Sequence, residues 1–278
     1  MKLVTMMKNK RFFAFGCSYT NYSWLSWADI IGVNFDFYKN MGRGGASNLF
    51  ILSRFIEAHE KYKFGSDDHI IVMFTGWARF FYIKDGSLTT HGELRNYYHN
   101  TKDEDVGKFL EGVWSEDLGL YNSWVAVKTI KTILEYSGAK YTLMSAIDNS
   151  DMLNNPTKYF SSPTSVKLAK DIHDTLDIKE SFDERLERLY RVQGKHGRHS
   201  PPYYSFTKQG GMDGHPTIDM HKDLVQEYFP EFITKHALNI IEVEKQSMVF
   251  TDSGENGENF NKRLSSYVNN RLDDPHYG

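Results

Sequence analysis

His69-Ile70-Ile71-Val72-Met73-Phe74 is an unbroken apolar run rich in β-branched residues. A half-exposed strand alternates polar and apolar positions, whereas a strand covered by helices on both faces does not, and strands of the second kind belong to parallel sheets. Upstream, Arg11 to Phe15 reads as a short buried strand that stops at Gly16, and Trp24, Trp27, Ala28 and Ile31 have helical spacing. Phe35 to Tyr38 reads as a second strand, followed by the glycine-rich turn Asn40 to Asn48 and a helical face of Leu49, Leu52, Phe55, Ile56 and His59. Downstream, Trp124 to Tyr136 reads as a helix closed by Gly138, and Lys140 to Met144 as the next strand. Pro216 opens a helix carrying Ile218, Leu224, Val225, Tyr228 and Phe229, at a position where a missing N–H is harmless. Strand and helix alternate, so the predicted class is α/β with a mostly parallel sheet.

Two long stretches interrupt this alternation. The predicted domain spans residues 1–236 with insertions at 84–122 and 149–211, the second containing a charged helix around Glu180 to Arg191. Long interruptions in a packed fold usually serve function, and these are expected to cover a binding site. Residues 237–278 are expected to form a C-terminal extension with a strand over Leu238 to Val243, a polar stretch and a terminal helix.

The chain has 278 residues, enough to bury a core without disulfide or metal support. Lys and Arg number 33 against 36 Asp and Glu, a net charge of −3, so no basic field exists to hold nucleic acid or an anionic membrane surface. Cys17 is the single cysteine, which excludes an internal disulfide and agrees with a reducing compartment. The apolar run Phe12 to Phe15, after Lys8, Lys10 and Arg11, is too short for a signal-peptide core or a membrane span. A cytoplasmic protein without cofactor is the expectation.

Three clusters carry residues able to do chemistry. In Phe15-Gly16-Cys17-Ser18-Tyr19-Thr20, a strand delivers Ser18 onto a turn leading into a helix, where its hydroxyl is expected to be exposed and its N–H able to stabilise an oxyanion. A capping or turn serine is the plain alternative. In Asn40-Met41-Gly42-Arg43-Gly44-Gly45-Ala46-Ser47-Asn48, three glycines let the backbone approach a ligand, but no dinucleotide or P-loop spacing is present, and a simple tight turn is equally compatible. In Gly211-Met212-Asp213-Gly214-His215-Pro216-Thr217-Ile218-Asp219-Met220-His221, Asp213 can orient one nitrogen of His215 while the other acts as general base. Asp213, His215, Asp219 and His221 are also candidate metal ligands, although no H-E-x-x-H spacing supports a metal site and none is expected. His221 is expected to be a satisfied or solvent-facing helix residue, turned about 120° from His215.

Together, Gly-Cys-Ser after the first strand, the Asn-rich glycine turn after the second, Thr75-Gly76-Trp77 after the third and the late Asp-x-His-Pro resemble the SGNH/GDSL hydrolase superfamily, particularly its divergent phage-encoded members. The resemblance runs in order along most of residues 11 to 235. It implies a flavodoxin-like three-layer α/β/α sandwich, with Ser18 as nucleophile, His215 as base, Asp213 as its orienting acid, and oxyanion donors at Ser18, Gly45 and, in a substitute role, Asn48. Cys17 stands where the family usually has Asp, Asp213 and His215 are one residue closer than the common Asp-x-x-His, and Ala78 stands where the third block supplies an Asn side chain. Losing one such donor costs about 3 kcal/mol of transition-state stabilisation, roughly a hundredfold in rate. Arg79, next in the chain, is a second candidate substitute.

The expected function is a serine esterase that removes a small acyl group, acetyl foremost, from a carbohydrate or other polar ester. Tyr97, Tyr98, His99, Trp114, Tyr121, Trp124, Tyr203 and Tyr204 in the insertions offer aromatic faces with polar edges suited to sugars. Two alternatives stand beside it: an impaired scaffold with a structural or glycan-binding role, for example in a phage virion, and an acyltransferase.

Overall fold

Phe12, Phe13, Ala14 and Phe15 are all fully buried, because the strand they build, β1 (Met7–Phe15), is an inner strand covered on both faces. The computed structural model describes residues 7–22, 24–84, 87–93, 107–108, 112–147, 153–160, 162–190, 205–206, 212–213 and 215–250, without the side chains of 7–9, 82–84, 87–93, 190, 205–206, 212–213 and 246–250. β1 pairs in parallel with β2 (Phe35–Asn40) on one side and β3 (Asp68–Phe74) on the other, and β6 (Lys140–Ser145) extends the sheet in parallel beyond β3. The resulting order, β2-β1-β3-β6, is that of the first four strands of flavodoxin-like doubly wound folds.

Side chains of β1 alternate between two aromatic layers. Phe12 stacks on Phe35 and Tyr38, at 5.2 and 5.4 Å between ring centres. Phe13 points to the opposite face, against Tyr62 at 5.2 Å and Phe64 at 4.9 Å. α1 (Trp27–Gly32) covers the first face together with α7 (Ile218–Tyr228) and α8 (Lys235–Phe250), while α2 (Asn48–Tyr62) and α3 (Glu116–Ser137) cover the second. The sandwich is therefore three-layered, α/β/α.

Three boundaries differ from the sequence expectation. The first helix begins at Trp27, not Trp24, because the Ser26 N–H donates to the Asp29 side chain at 2.9 Å and fixes the start of the helix there. α3 begins at Glu116, eight residues before Trp124, where Ser115 Oγ accepts the Leu118 N–H at 3.1 Å. The segment Leu238 to Val243 is helical and belongs to α8, not to a strand. Ala237, Ile240, Ile241 and Glu244 are its buried positions, a helical 3-4 spacing, while Leu238 and Val243 face solvent. Ala237, Ile240 and Ile241 join the main core, so packing continues past the expected boundary at 236.

The insertions carry structure of their own. β4 (Arg79–Lys84) and β5 (Ser87–Glu93) form an antiparallel hairpin that leaves the carboxyl end of β3. α4 (Pro156–Tyr159), α5 (Pro163–Thr175) and α6 (Phe182–Tyr190) lie in the second insertion, and β7 (Ser205–Phe206) pairs with β8 (Met212–Asp213). α5 is tied to α3 by the Trp124 indole, which donates to Asp171 Oδ2 at 2.6 Å. That bond, with Lys128 beside it, holds the Asp171 carboxyl below its usual range.

Asp29 is fully buried and gathers the ends of several elements. Its carboxyl accepts the Ser26 N–H at 2.9 Å, the Tyr38 hydroxyl at 2.9 Å and the Asn40 amide at 3.4 Å. Asp29→Ala leaves these buried donors without an acceptor and is expected to cost about 3 kcal/mol or more. Thermal unfolding should register a Tm lower by roughly 6 °C or more. Asp29→Asn keeps one carbonyl acceptor and should lose distinctly less.

Candidate active site

The turn after β1 is shaped by what surrounds Gly16. A Cβ there would meet Thr20 Oγ1 at 2.0 Å and the Met73 carbonyl at 3.0 Å, so only glycine fits. The Thr20 N–H then closes onto the Cys17 carbonyl at 2.9 Å. Cys17 points into the core, with 1% of its surface exposed, and Ser18 sits on the turn itself. Ser18 as a residue is only 8% exposed, although its hydroxyl is not among the buried unpartnered polar atoms, and one expectation changes: the turn does not open a helix, since α1 starts nine residues later at Trp27. The chain between is occupied by the Asp29 network and by aromatic residues. Among the described residues neither the hydroxyl nor the N–H of Ser18 has a hydrogen-bond partner.

The glycine turn after β2 interlocks with this one. Asn40 Nδ2 donates to the Thr20 carbonyl at 2.7 Å, and its Oδ1 accepts the Gly42 N–H at 3.1 Å. Arg43 N–H reaches back to the Gly16 carbonyl at 3.1 Å, and Asn21 Nδ2 donates to the Gly42 carbonyl at 3.0 Å. Gly45 has φ +71°, the left-handed region that favours glycine, and its N–H meets no acceptor among the described residues. It is thus a backbone donor left open beside the Ser18 turn.

Asn48 is placed differently from the expectation. Its Nδ2 donates to the Thr75 carbonyl at 2.9 Å and to Ser123 Oγ at 3.0 Å, and its Oδ1 accepts the Thr75 N–H at 2.8 Å. Both amide hydrogens are engaged, so none is left for an oxyanion. Asn48 clamps the end of β3 to the start of α2 and to α3.

His215 is brought to Ser18's turn by aromatic rings. It stacks on Tyr22 at 3.8 Å and 17°, and meets Tyr19 edge-on at 6.0 Å. The next residue is fastened as well: Trp24 Nε1 donates to the Pro216 carbonyl at 2.8 Å. No hydrogen bond joins His215 to Ser18. Such bonds often form only when substrate is bound. Asp213 is placed in β8, and its side chain lies outside the described residues, as do Tyr97, Tyr98, His99, Tyr203 and Tyr204.

Sequence reasoning missed Tyr22, the indole of Trp24, and Asp183. Asp183, on α6, accepts the Tyr19 hydroxyl at 3.0 Å. Burial, reinforced by Asp183, pushes the Tyr19 phenol well above its usual range, so Tyr19 remains a protonated donor. The density of aromatic residues just after Ser18 was a visible signal, but not which of them would meet a histidine some two hundred residues away.

His221 is neither satisfied nor solvent-facing. It is 1% exposed, packs on Phe182 at 5.2 Å, and has an unpartnered Nδ1. Burial, with His215 nearby, pushes its pKa down to about 3. An imidazole so reluctant to take a proton is a poor general base. Among the described residues no three His, Cys, Asp or Glu side chains stand close enough to hold a metal, and no helix is long and apolar enough to cross a membrane. A cavity of about 520 Å³ lies at the end of β6, between Ile147, Val166, His173 and Lys179, and none of Ser18, Gly45 or His215 lines it.

No protein-family model and no curated protein matches this chain. Among solved structures it is similar to a member of the lipolytic protein G-D-S-L family from Veillonella parvula, at 12% identity and a TM-score of 0.41, covering 80% of this chain and 98% of that one. The fold described above rests on strand order, register and helix layering in this molecule.

Two buried histidines make stability sensitive to acid. His221 and His69 have pKa values lowered by burial to about 3 and about 4. Both are neutral in the folded state, while the unfolded chain protonates them below about pH 6.5. Stability is therefore full above that pH and declines as pH falls toward 3 to 4, by up to about 1.4 kcal/mol per pH unit for each histidine. Denaturant midpoints measured from pH 7 to pH 4 should show this decline, and His221→Leu should make it less steep.

Proposed function

We propose that the protein is a serine esterase that removes a small acyl group, acetyl foremost, from a carbohydrate or other polar ester. The observation that carries this reading is the docking of the His215 loop on the Ser18 turn, through Tyr22, Tyr19 and Trp24. These contacts support the pairing of His215 with Ser18 as base and nucleophile at the carboxyl edge of a parallel sheet, where open α/β sheets bind ligands.

In this reading Ser18 Oγ attacks the ester carbonyl as His215 takes its proton. The tetrahedral oxyanion is held by the open N–H groups of Ser18 and Gly45. His215 returns the proton to the departing alcohol, then activates a water that releases the acyl group and restores Ser18. Asp213 orients the imidazole through its far nitrogen. Burial of Ser18 supports a small acyl group over a long chain. Trp124 is committed to holding α5, whereas Tyr121, stacked on it at 6.1 Å and half exposed, offers a face for a sugar.

Labelling with a fluorophosphonate probe and hydrolysis of p-nitrophenyl acetate test the assignment. Ser18→Ala should lose both, while Cys17→Ser, altering a core residue, should keep most of both. His215→Ala should lower the rate about a thousandfold or more, and Asp213→Asn should cause a smaller but large loss. EDTA should leave the rate intact. Labelling without turnover would favour an acyltransferase, and neither labelling nor turnover would favour the impaired scaffold.

A further inference from the structure

Arg79 opens β4 directly after Ala78, at the same sheet edge as Ser18 and Gly45. Its backbone pairs with Glu93, and the register shifts between Arg79 and Phe80. An irregularity of this kind re-aims the side chain it carries and is common beside active sites.

Among the described side chains the guanidinium meets no counter-ion. Among the described residues Arg11, Arg54, Arg185 and Arg188 each meet a carboxylate at 2.6 to 2.8 Å. Arg79 meets none, and its Nη1 is buried without an acceptor. A buried donor left unpaired costs free energy, but Arg79 as a whole is only half-buried, and its remaining guanidinium N–H groups are neither shut away nor consumed by a described protein acceptor. Its charge also reaches the Tyr19 phenol, adjacent to Ser18, where it opposes the effect of Asp183. Asn48 has no N–H to offer and Ala78 no polar atom, so of these three candidates Arg79 is the one side chain whose N–H groups are not consumed by the fold.

We propose that Arg79 binds a carboxylate of the substrate beside Ser18, so that the natural ester is anionic. The planar guanidinium fork matches the two oxygens of a carboxylate, which a lysine ammonium cannot reproduce. This inference rests on the esterase reading and adds the charge of its substrate. Arg79 is a specificity residue here, and its effect belongs in KM.

Two matched acetate esters test it, 4-acetoxybenzoate and its methyl ester, which differ by one negative charge. The wild type should favour the acid by about tenfold or more in kcat/KM. Arg79→Gln should reduce that preference by about 10- to 100-fold through KM, and Arg79→Lys should fall between, with thermal melts confirming folding. A wild-type preference for the neutral ester overturns the proposal, and that comparison stands even if no variant folds. An equal loss on both esters also overturns it, placing Arg79 on the reaction's oxyanion, as does an unchanged ratio. If neither ester is turned over, the esterase reading fails separately. Calorimetry with 4-hydroxybenzoate and its methyl ester then decides: binding of the acid that Arg79→Gln abolishes supports the anion site, and equal or no binding of the two overturns it.

Discussion

The carboxyl edge of the sheet depends on a buried polar knot beneath the Ser18 turn. Asn40 holds the Thr20 carbonyl with its amide nitrogen and the Gly42 N–H with its amide oxygen, so one side chain bridges the turns after β1 and β2. Asp29 receives the same Asn40 amide, together with Tyr38 and the start of α1. Backbone groups that cannot reach water must find partners inside, and here those partners impose the spacing between Ser18 and Gly45. A Cβ on Gly42 would stand 2.9 Å from Thr20 Cβ, so the knot closes only because two glycines permit the turns to touch.

Aromatic rings do for the distant loop what hydrogen bonds do for the near ones. Tyr22 and Trp24 receive His215 and Pro216, and Phe182 joins Tyr19 to His221 beneath them. Ring stacking is tolerant in angle but demanding in distance, which suits a loop brought close to the Ser18 turn without being rigidly bonded to it. The same apolar packing shuts His221 away from solvent and keeps it neutral.

The insertions complete rather than decorate the fold. The Asp183 N–H donates to the Ala146 carbonyl at the end of β6, and its carboxyl accepts from Tyr19. One residue of α6 thus connects the far strand of the sheet to the Ser18 turn. The β4–β5 hairpin leaves β3 at its carboxyl end and carries Arg79 to that edge.

The parallel sheet was legible in the unbroken run of His69 to Phe74 and in Phe12 to Phe15, because burial on both faces removes polar residues from a strand wherever it lies. Ser18 at the end of β1 and glycines in the turns were legible too, since a sharp turn demands small residues in sequence order. The helical nature of Leu238 to Val243 was not, because a short apolar run looks the same in either state until the core shows which spacing it buries. Nor were Asn48 as a clamp, His221 as a buried neighbour of His215, or Asp183 beneath Tyr19. Those roles depend on which groups compete for the same hydrogen-bond donor or the same dry space across long stretches of chain. Local sequence determined the strands, the turns and the candidate nucleophile, and only tertiary packing decided which polar side chains were consumed by the fold and which were not.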